Sequence, residues 1–178
     1  MIVGLCGKKR VGKDTLADLI ERHHGNQKIA FADALRATLY ATNPLLDVDG
    51  TRVQDAVDLY GYEGIKSTKY SGEYRSLMQR LGTDGVRDNI GDSTWVDIVK
   101  RNISAGGDWT VIDARFPNEI QAVRDSGGII LWVHRPGVES DDSHASENSV
   151  TQDDCDFTIY NHGTPSDMLS QFKRYMDA

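Results

Sequence analysis

Gly7-Lys8-Lys9-Arg10-Val11-Gly12-Lys13-Asp14-Thr15 follows the apolar run Ile2-Val3-Gly4-Leu5-Cys6 and precedes a helical pattern carried by Leu16, Ala17, Leu19 and Ile20. A strand, a G-x-x-x-x-G-K loop and a helix, in that order, can cradle a polyphosphate. Its glycines let the backbone wrap the phosphates and aim N–H groups at them, and the helix adds the positive end of its dipole. Lys13 would place a point charge on the transferable phosphates, and Thr15 a hydroxyl on phosphate or Mg²⁺. Asp14 stands where Ser or Thr usually follows the lysine; its carboxylate could reach Mg²⁺ through water or cap the first helical turn. A glycine-rich turn without a ligand is the alternative, and the presence of all four parts weighs against it. The pattern predicts a nucleoside triphosphate site.

Further constellations lie downstream. Asp113-Ala114-Arg115 leaves a core strand, so Asp113 could hold Mg²⁺ directly or through water. Arg115 could make a bidentate phosphate contact, or the two could form a pair sealing a helix start. Arg75 and Gln79 lie four apart on one helical face and could reach a common ligand, although such a pair is ordinarily a solvated surface. Trp95, after Asp92-Ser93-Thr94, is either core packing or a stacking face for a base. Arg135-Pro136-Gly137 opens a segment, Val138 to Asp156, that has seven acids and no lysine or arginine, which reads as a mobile lid or an acidic surface loop. His144 within it is a lid hydrogen-bonder rather than a metal ligand, because no second His or Cys stands at ligand spacing. Asn161-His162-Gly163-Thr164 could contact a nucleobase or only turn the chain.

These groups need a scaffold, and the chain supplies one by alternation. Apolar runs at 2–6, 27–31, 109–112, 129–134 and 156–160 read as strands. Helical patterns fall between them, near 16–20, 33–41, 73–81, 94–103, 118–126 and 166–176, with a further short helix at 51–60. Pro165 opens the last. The alternation predicts an α/β fold with a parallel sheet and helices on both faces, whose ligands bind beyond the carboxyl ends of the strands. The 178 residues suit one domain, 1–178, with a helical insertion at about 43–104 as the second-substrate module and the lid at about 135–156. A net charge of −7 argues against general nucleic-acid or membrane affinity, so cations must be concentrated locally. Cys6 and Cys155 have neither metal nor disulfide spacing and read as reduced thiols of a cytoplasmic protein. No signal peptide precedes the first strand, and the run from Ile129 to Val133 is too short to cross a bilayer.

Taken together, the Gly7–Thr15 loop, Leu77-Met78-Gln79-x-Leu81-Gly82-Thr83, Trp95-Val96, Asp113-x-Arg115 and Val133-x-Arg135-Pro136-Gly137 resemble the deoxynucleoside monophosphate kinases of bacteriophages. Ser143-His144-x-x-Glu147 and Ile159-x-Asn161-x-Gly163 fit as well. The anchors run in order from residue 2 to about residue 172, most weakly over 42–72. The resemblance implies a three-layer P-loop kinase fold with a helical monophosphate-binding insertion and a short lid. It also implies transfer of the γ-phosphoryl of ATP, with Mg²⁺, to a deoxynucleoside monophosphate in DNA precursor synthesis. By the same resemblance, Gly7, Lys8, Gly12, Lys13, Asp14, Thr15, Arg135, Asn161 and Gly163 would hold ATP. Arg75, Gln79, Gly82, Thr83, Trp95, Asp113, Arg115 and Glu119 would line the acceptor site. Lys13, Arg75, Asp113 and Arg115 would be catalytic, and Thr15 and Asp14 would meet the metal. Relatives can carry a second basic residue after the arginine at 75, where this chain has Ser76, so Arg75 serves alone or Arg80 and Arg87 compensate. Small-molecule substrates are the expected partners, with neither nucleic acid nor membrane, and a homodimer is compatible. The rivals are a P-loop kinase of phosphomevalonate or dephospho-coenzyme A, and a nucleotide-hydrolysing switch or packaging motor.

Overall fold

Side chains alternate between two apolar layers along the central strands. In β4 (Ile129–His134), Ile130 and Trp132 enter one cluster while Leu131 and Val133 enter the other. In β1 (Ile2–Cys6), Cys6 joins the first and Val3 and Leu5 the second. A strand buried on both faces in this way requires a layer of helices on each side. The computed structural model supplies them; it describes residues 1–138 and 148–176. On one face lie α1 (Lys13–His24) and α7 (Pro165–Met176), through Leu16, Ile20, Met168 and Phe172. On the other lie α5 (Thr94–Ser104) and α6 (Pro117–Asp125), through Val99, Ile103, Ile120 and Val123.

With β2 (Gln27–Ile29), β3 (Trp109–Val111) and β5 (Phe157–Tyr160), the strands form one five-stranded sheet of order β2-β3-β1-β4-β5. All its pairings are parallel, with Val3 opposite both Thr110 and Ile129. Strand β1 is central, so the chain leaves β3 on one side of it and resumes at β4 on the other. That reversal leaves a crevice at the carboxyl ends of the strands, where such sheets bind ligands. The α/β parallel-sheet architecture read from the sequence is the one observed. Strand β2 stops at Ile29, short of the expected Phe31, because the Phe31 N–H turns to the Asp113 carboxylate at 2.7 Å.

The chain divides into two compact units, Met1–Phe31 with Val96–Ala178, and Ala32–Trp95. The second unit starts at α2 (Ala32–Thr42). It also holds α3 (Val53–Gly64), α4 (Ser71–Gln79) and its own core around Leu39, Val53, Ile65 and Tyr74. The helix expected over 73–81 ends at Gln79 and widens into a π-helical turn over Arg80–Arg87, where the Asp88 N–H reaches back five residues to Thr83 O. Such wide turns in helical structure often mark functional positions. No helix among the described residues is long and apolar enough to cross a membrane.

Candidate functional site

The loop after β1 is shaped by its glycines. Gly7 has φ 132°, and a Cβ there would stand 2.4 Å from the carbonyl oxygen of Val133. Gly12 has φ 104°, and a Cβ would stand 2.5 Å from Asn161 Nδ2. Neither position accepts another residue without backbone movement. Arg10 also adopts a left-handed conformation, φ 64°, so the loop turns back on itself. The Lys13 ammonium lies within the turn and donates to Gly7 O at 2.7 Å and Lys8 O at 2.8 Å. Helix α1 is N-capped by Gly12, which has no side chain to accept the first helical N–H groups. Such an N-terminus favours an anion. Asp14 and Thr15 are exposed on its first turn. Lys8 Nζ donates to Asn148 Oδ1 at 3.2 Å.

The segment after β3 is pinned beside this loop, since the Ala114 N–H donates to Leu5 O at 3.2 Å. Asp113, next to it, is half-buried and accepts the Phe31 N–H. Glu119, expected along the acceptor, lies at the start of α6. Its carboxylate is buried and accepts the backbone N–H groups of Arg115 at 2.8 Å and Phe116 at 3.1 Å. It caps α6 and fixes the backbone that carries Arg115, which is a positioning role. Behind the loop, the Cys6 thiol is pushed well above the ordinary thiol range, chiefly by its hydrogen bond with Cys155 and then by burial. The side chain is buried and packs in the apolar layer of Val111, Ile130 and Trp132.

Two loops complete this unit's edge. Arg135 is exposed in a turn closed by the Val138 N–H on its own carbonyl at 3.3 Å. The far flank of the expected lid belongs to the body: Val150 is buried, and Arg124 holds Asp154 O at 2.9 Å and Asp156 at 2.7 Å. His144, Ser143 and Glu147 lie outside the described residues. After β5, Asn161 donates through Nδ2 to Val11 O at 2.8 Å. Gly163 precedes Thr164, whose N–H is bound by Asp167 at 2.7 Å, capping α7. Asp113, Arg135, Asn161 and the Gly7–Thr15 loop all follow carboxyl ends of neighbouring parallel strands.

The other expected residues belong to the helical unit. Arg75 and Gln79 are half-buried along α4, and Thr83 is half-buried in the wide turn. Gly82 is buried, and a Cβ on it would stand 2.7 Å from Leu35 Cδ2. Trp95 is 7 % exposed, with its indole N–H donating to Gly82 O at 3.0 Å. Of the two roles its sequence left open, the geometry is that of packing: the ring braces the turn instead of presenting an open face. Arg80, offered as a second clamp, pairs with Glu73 at 3.0 Å on the surface. Burial pushes the phenol of Tyr74, next to Arg75, up to about 12, against the pull of Arg36. Arg36, partly buried and paired with Asp33 at 3.1 Å, is a cation of this unit that the sequence reading passed over. Nothing in its spacing distinguishes it from a surface i,i+3 pair.

Among the described residues, no three His, Cys, Asp or Glu side chains gather as a metal centre.

Comparison with known proteins adds a family. Residues 49–172 match the family model described as deoxynucleotide monophosphate kinase. A protein of Acanthamoeba polyphaga mimivirus, provisionally named a deoxynucleotide monophosphate kinase, is 26% identical over 197 residues, covering 99% of this chain and 96% of its own. The deoxynucleotide monophosphate kinase of Enterobacteria phage T4 is 33% identical over 104 residues. That match covers 56% of this chain and 43% of the phage protein, less than half its length. Among solved structures, a shikimate kinase from Aquifex aeolicus aligns at TM-score 0.48 and 9% identity, over 99% of this chain and 96% of that one.

Proposed function

Because the chain belongs to the deoxynucleotide monophosphate kinase family, we propose that it moves the γ-phosphoryl group of ATP onto a deoxynucleoside 5′-monophosphate, giving ADP and the deoxynucleoside diphosphate. The observation that carries this reading is the Gly7–Thr15 loop, with the Lys13 ammonium held inside it and the uncapped start of α1 behind it. An oxygen of the acceptor phosphate attacks the γ-phosphorus in line, and the bond from that phosphorus to the β,γ-bridging oxygen breaks as ADP leaves. The attacking oxygen is already anionic at neutral pH, so no strong base is required. Catalysis then rests on positioning and charge.

In this reading Gly7, Lys8, Gly12 and Lys13 hold the triphosphate of ATP. Thr15, Asp14 and Asp113 would hold Mg²⁺, which would neutralise charge on the β- and γ-phosphates. Arg115, on a backbone fixed by Glu119, and Arg75 neutralise the acceptor phosphate. Gln79 and Thr83 bind the acceptor, with Gly82 and Trp95 shaping the turn that carries them. Arg135 reaches the nucleotide from the turn after β4. Family membership favours this reading over the phosphomevalonate, dephospho-coenzyme A and motor alternatives. The substrates are small molecules, and the setting is the cytoplasm of an infected host.

A coupled assay of ADP release over a panel of deoxynucleoside and ribonucleoside monophosphates tests it. At least one deoxynucleotide should raise ADP release far above the acceptor-free rate. Lys13→Ala should remove more than nine-tenths of that rate, at least about 1.4 kcal/mol of transition-state stabilisation, without changing the circular dichroism spectrum. ADP release that no deoxynucleotide stimulates would overturn the reading.

A further inference from the structure

A trans peptide points its C=O and its N–H in opposite directions. Whatever holds the Val11 carbonyl therefore decides where the Gly12 N–H points. In this chain the holder is Asn161, whose Nδ2 donates to Val11 O at 2.8 Å across 150 residues of sequence. A carbonyl can only accept, which fixes the amide's own orientation. Asn161 is anchored in turn, because its backbone N–H donates to His134 O at 2.7 Å and extends the β4–β5 pairing past Tyr160. The approach to the loop is tight: a Cβ on Gly12 would stand 2.5 Å from the same Nδ2. Two glycine requirements thus coincide at residue 12, the positive φ of 104° and the closeness of Asn161.

We propose that Asn161 is a positioning residue for the polyphosphate, locking the Val11–Gly12 peptide so that the Gly12 N–H keeps the direction in which the loop offers it to a triphosphate. The role rests on the triphosphate reading of the loop. It replaces direct contact between Asn161 and the nucleotide, expected from the sequence, by action through the loop. The chemistry recognised is then the phosphate chain alone, whatever nucleoside it carries.

That distinction sets the experiment. The wild-type chain, Asn161→Ala and Asn161→Asp are titrated calorimetrically with Mg²⁺–ATP and with Mg²⁺–tripolyphosphate, which has no nucleoside. Thermal melts accompany each titration. Loss of the neutral hydrogen bond should weaken both ligands by the same factor, roughly three- to tenfold. Asn161→Asp, which sets a carboxylate against the Val11 carbonyl, should weaken both further. The acceptor KM should not move. If ATP weakens while tripolyphosphate does not, Asn161 reads the nucleoside and the proposal fails. It fails equally if neither ligand weakens, or if both variants lose their cooperative melt, since the contact then serves the fold. A wild-type chain that binds neither ligand would overturn the triphosphate reading itself, a result distinct from the other three.

Discussion

On the proposed reading, Glu119 serves the chemistry through the backbone that carries Arg115 rather than by touching the substrate. A buried carboxylate that accepts two backbone N–H groups holds the peptide from which Arg115 projects. Removing it leaves two partly buried donors without this acceptor, which typically costs about 1–3 kcal/mol when water does not replace it. Glu119→Ala should accordingly lower the melting temperature and reduce acceptor kcat/KM together. Glu119→Gln keeps an oxygen acceptor without the charge, so it should recover most of both. If Gln behaves like Ala in turnover but melts like the wild type, the charge of Glu119 acts on the substrate and the capping account is wrong. In the sequence Glu119 stood out only through the family resemblance, which set it along the acceptor. Its capping contacts depend on burial and hydrogen-bond geometry, which spacing does not contain.

At the scale of elements, the departure from expectation is the wide turn over Arg80–Arg87. The apolar positions before it fit an ordinary helix ending near Leu81. The turn is shaped by contacts from other elements: the Trp95 indole on Gly82 O, from the start of α5, and Leu35 of α2 against Gly82 itself. Gly82→Ala would drive a methyl group into Leu35, at a cost of about 1–3 kcal/mol for overpacking. Leu35→Ala in the same chain should relieve part of that, so the double variant should be more stable than the sum of the single changes predicts. Chemical denaturation of the four proteins reads this directly. Strict additivity would show that Gly82 is required for some other reason than Leu35.

For the whole molecule, the proposed acceptor residues fall in both compact units, Arg75 in Ala32–Trp95 and Arg115 in the sheet unit. Charge-assisted hydrogen bonds contribute about 1.5–3 kcal/mol each. Replacing either arginine by Ala should cut kcat/KM for the deoxynucleotide roughly ten- to a hundredfold, at about 1.4 kcal/mol per decade. The KM for ATP should hold, because the Gly7–Thr15 loop is untouched. A rise in the ATP KM with an unchanged acceptor KM would exchange the two subsites. Since a net charge of −7 gives the molecule as a whole no attraction for phosphates, these few cations must act locally.

The five strands, their parallel sense and the loop at Gly7 were legible because each rests on local signals. Buried strands are short apolar runs, helices repeat at their own period, and a phosphate loop needs its glycines and lysine within nine consecutive residues. The place of Asp113 and Arg115 just past the end of β3 was legible for a related reason, since the end of a strand is a sequence position. Tertiary structure alone decided what depends on distant partners. Asn161 meets Val11 across 150 residues, and Cys6 and Cys155 pack in one apolar cluster. Trp95 braces a carbonyl instead of opening a face, and Arg80 turns to Glu73 at the surface. In each case the contact was set by burial and by the geometry of a hydrogen bond, both of which arise only once the chain packs.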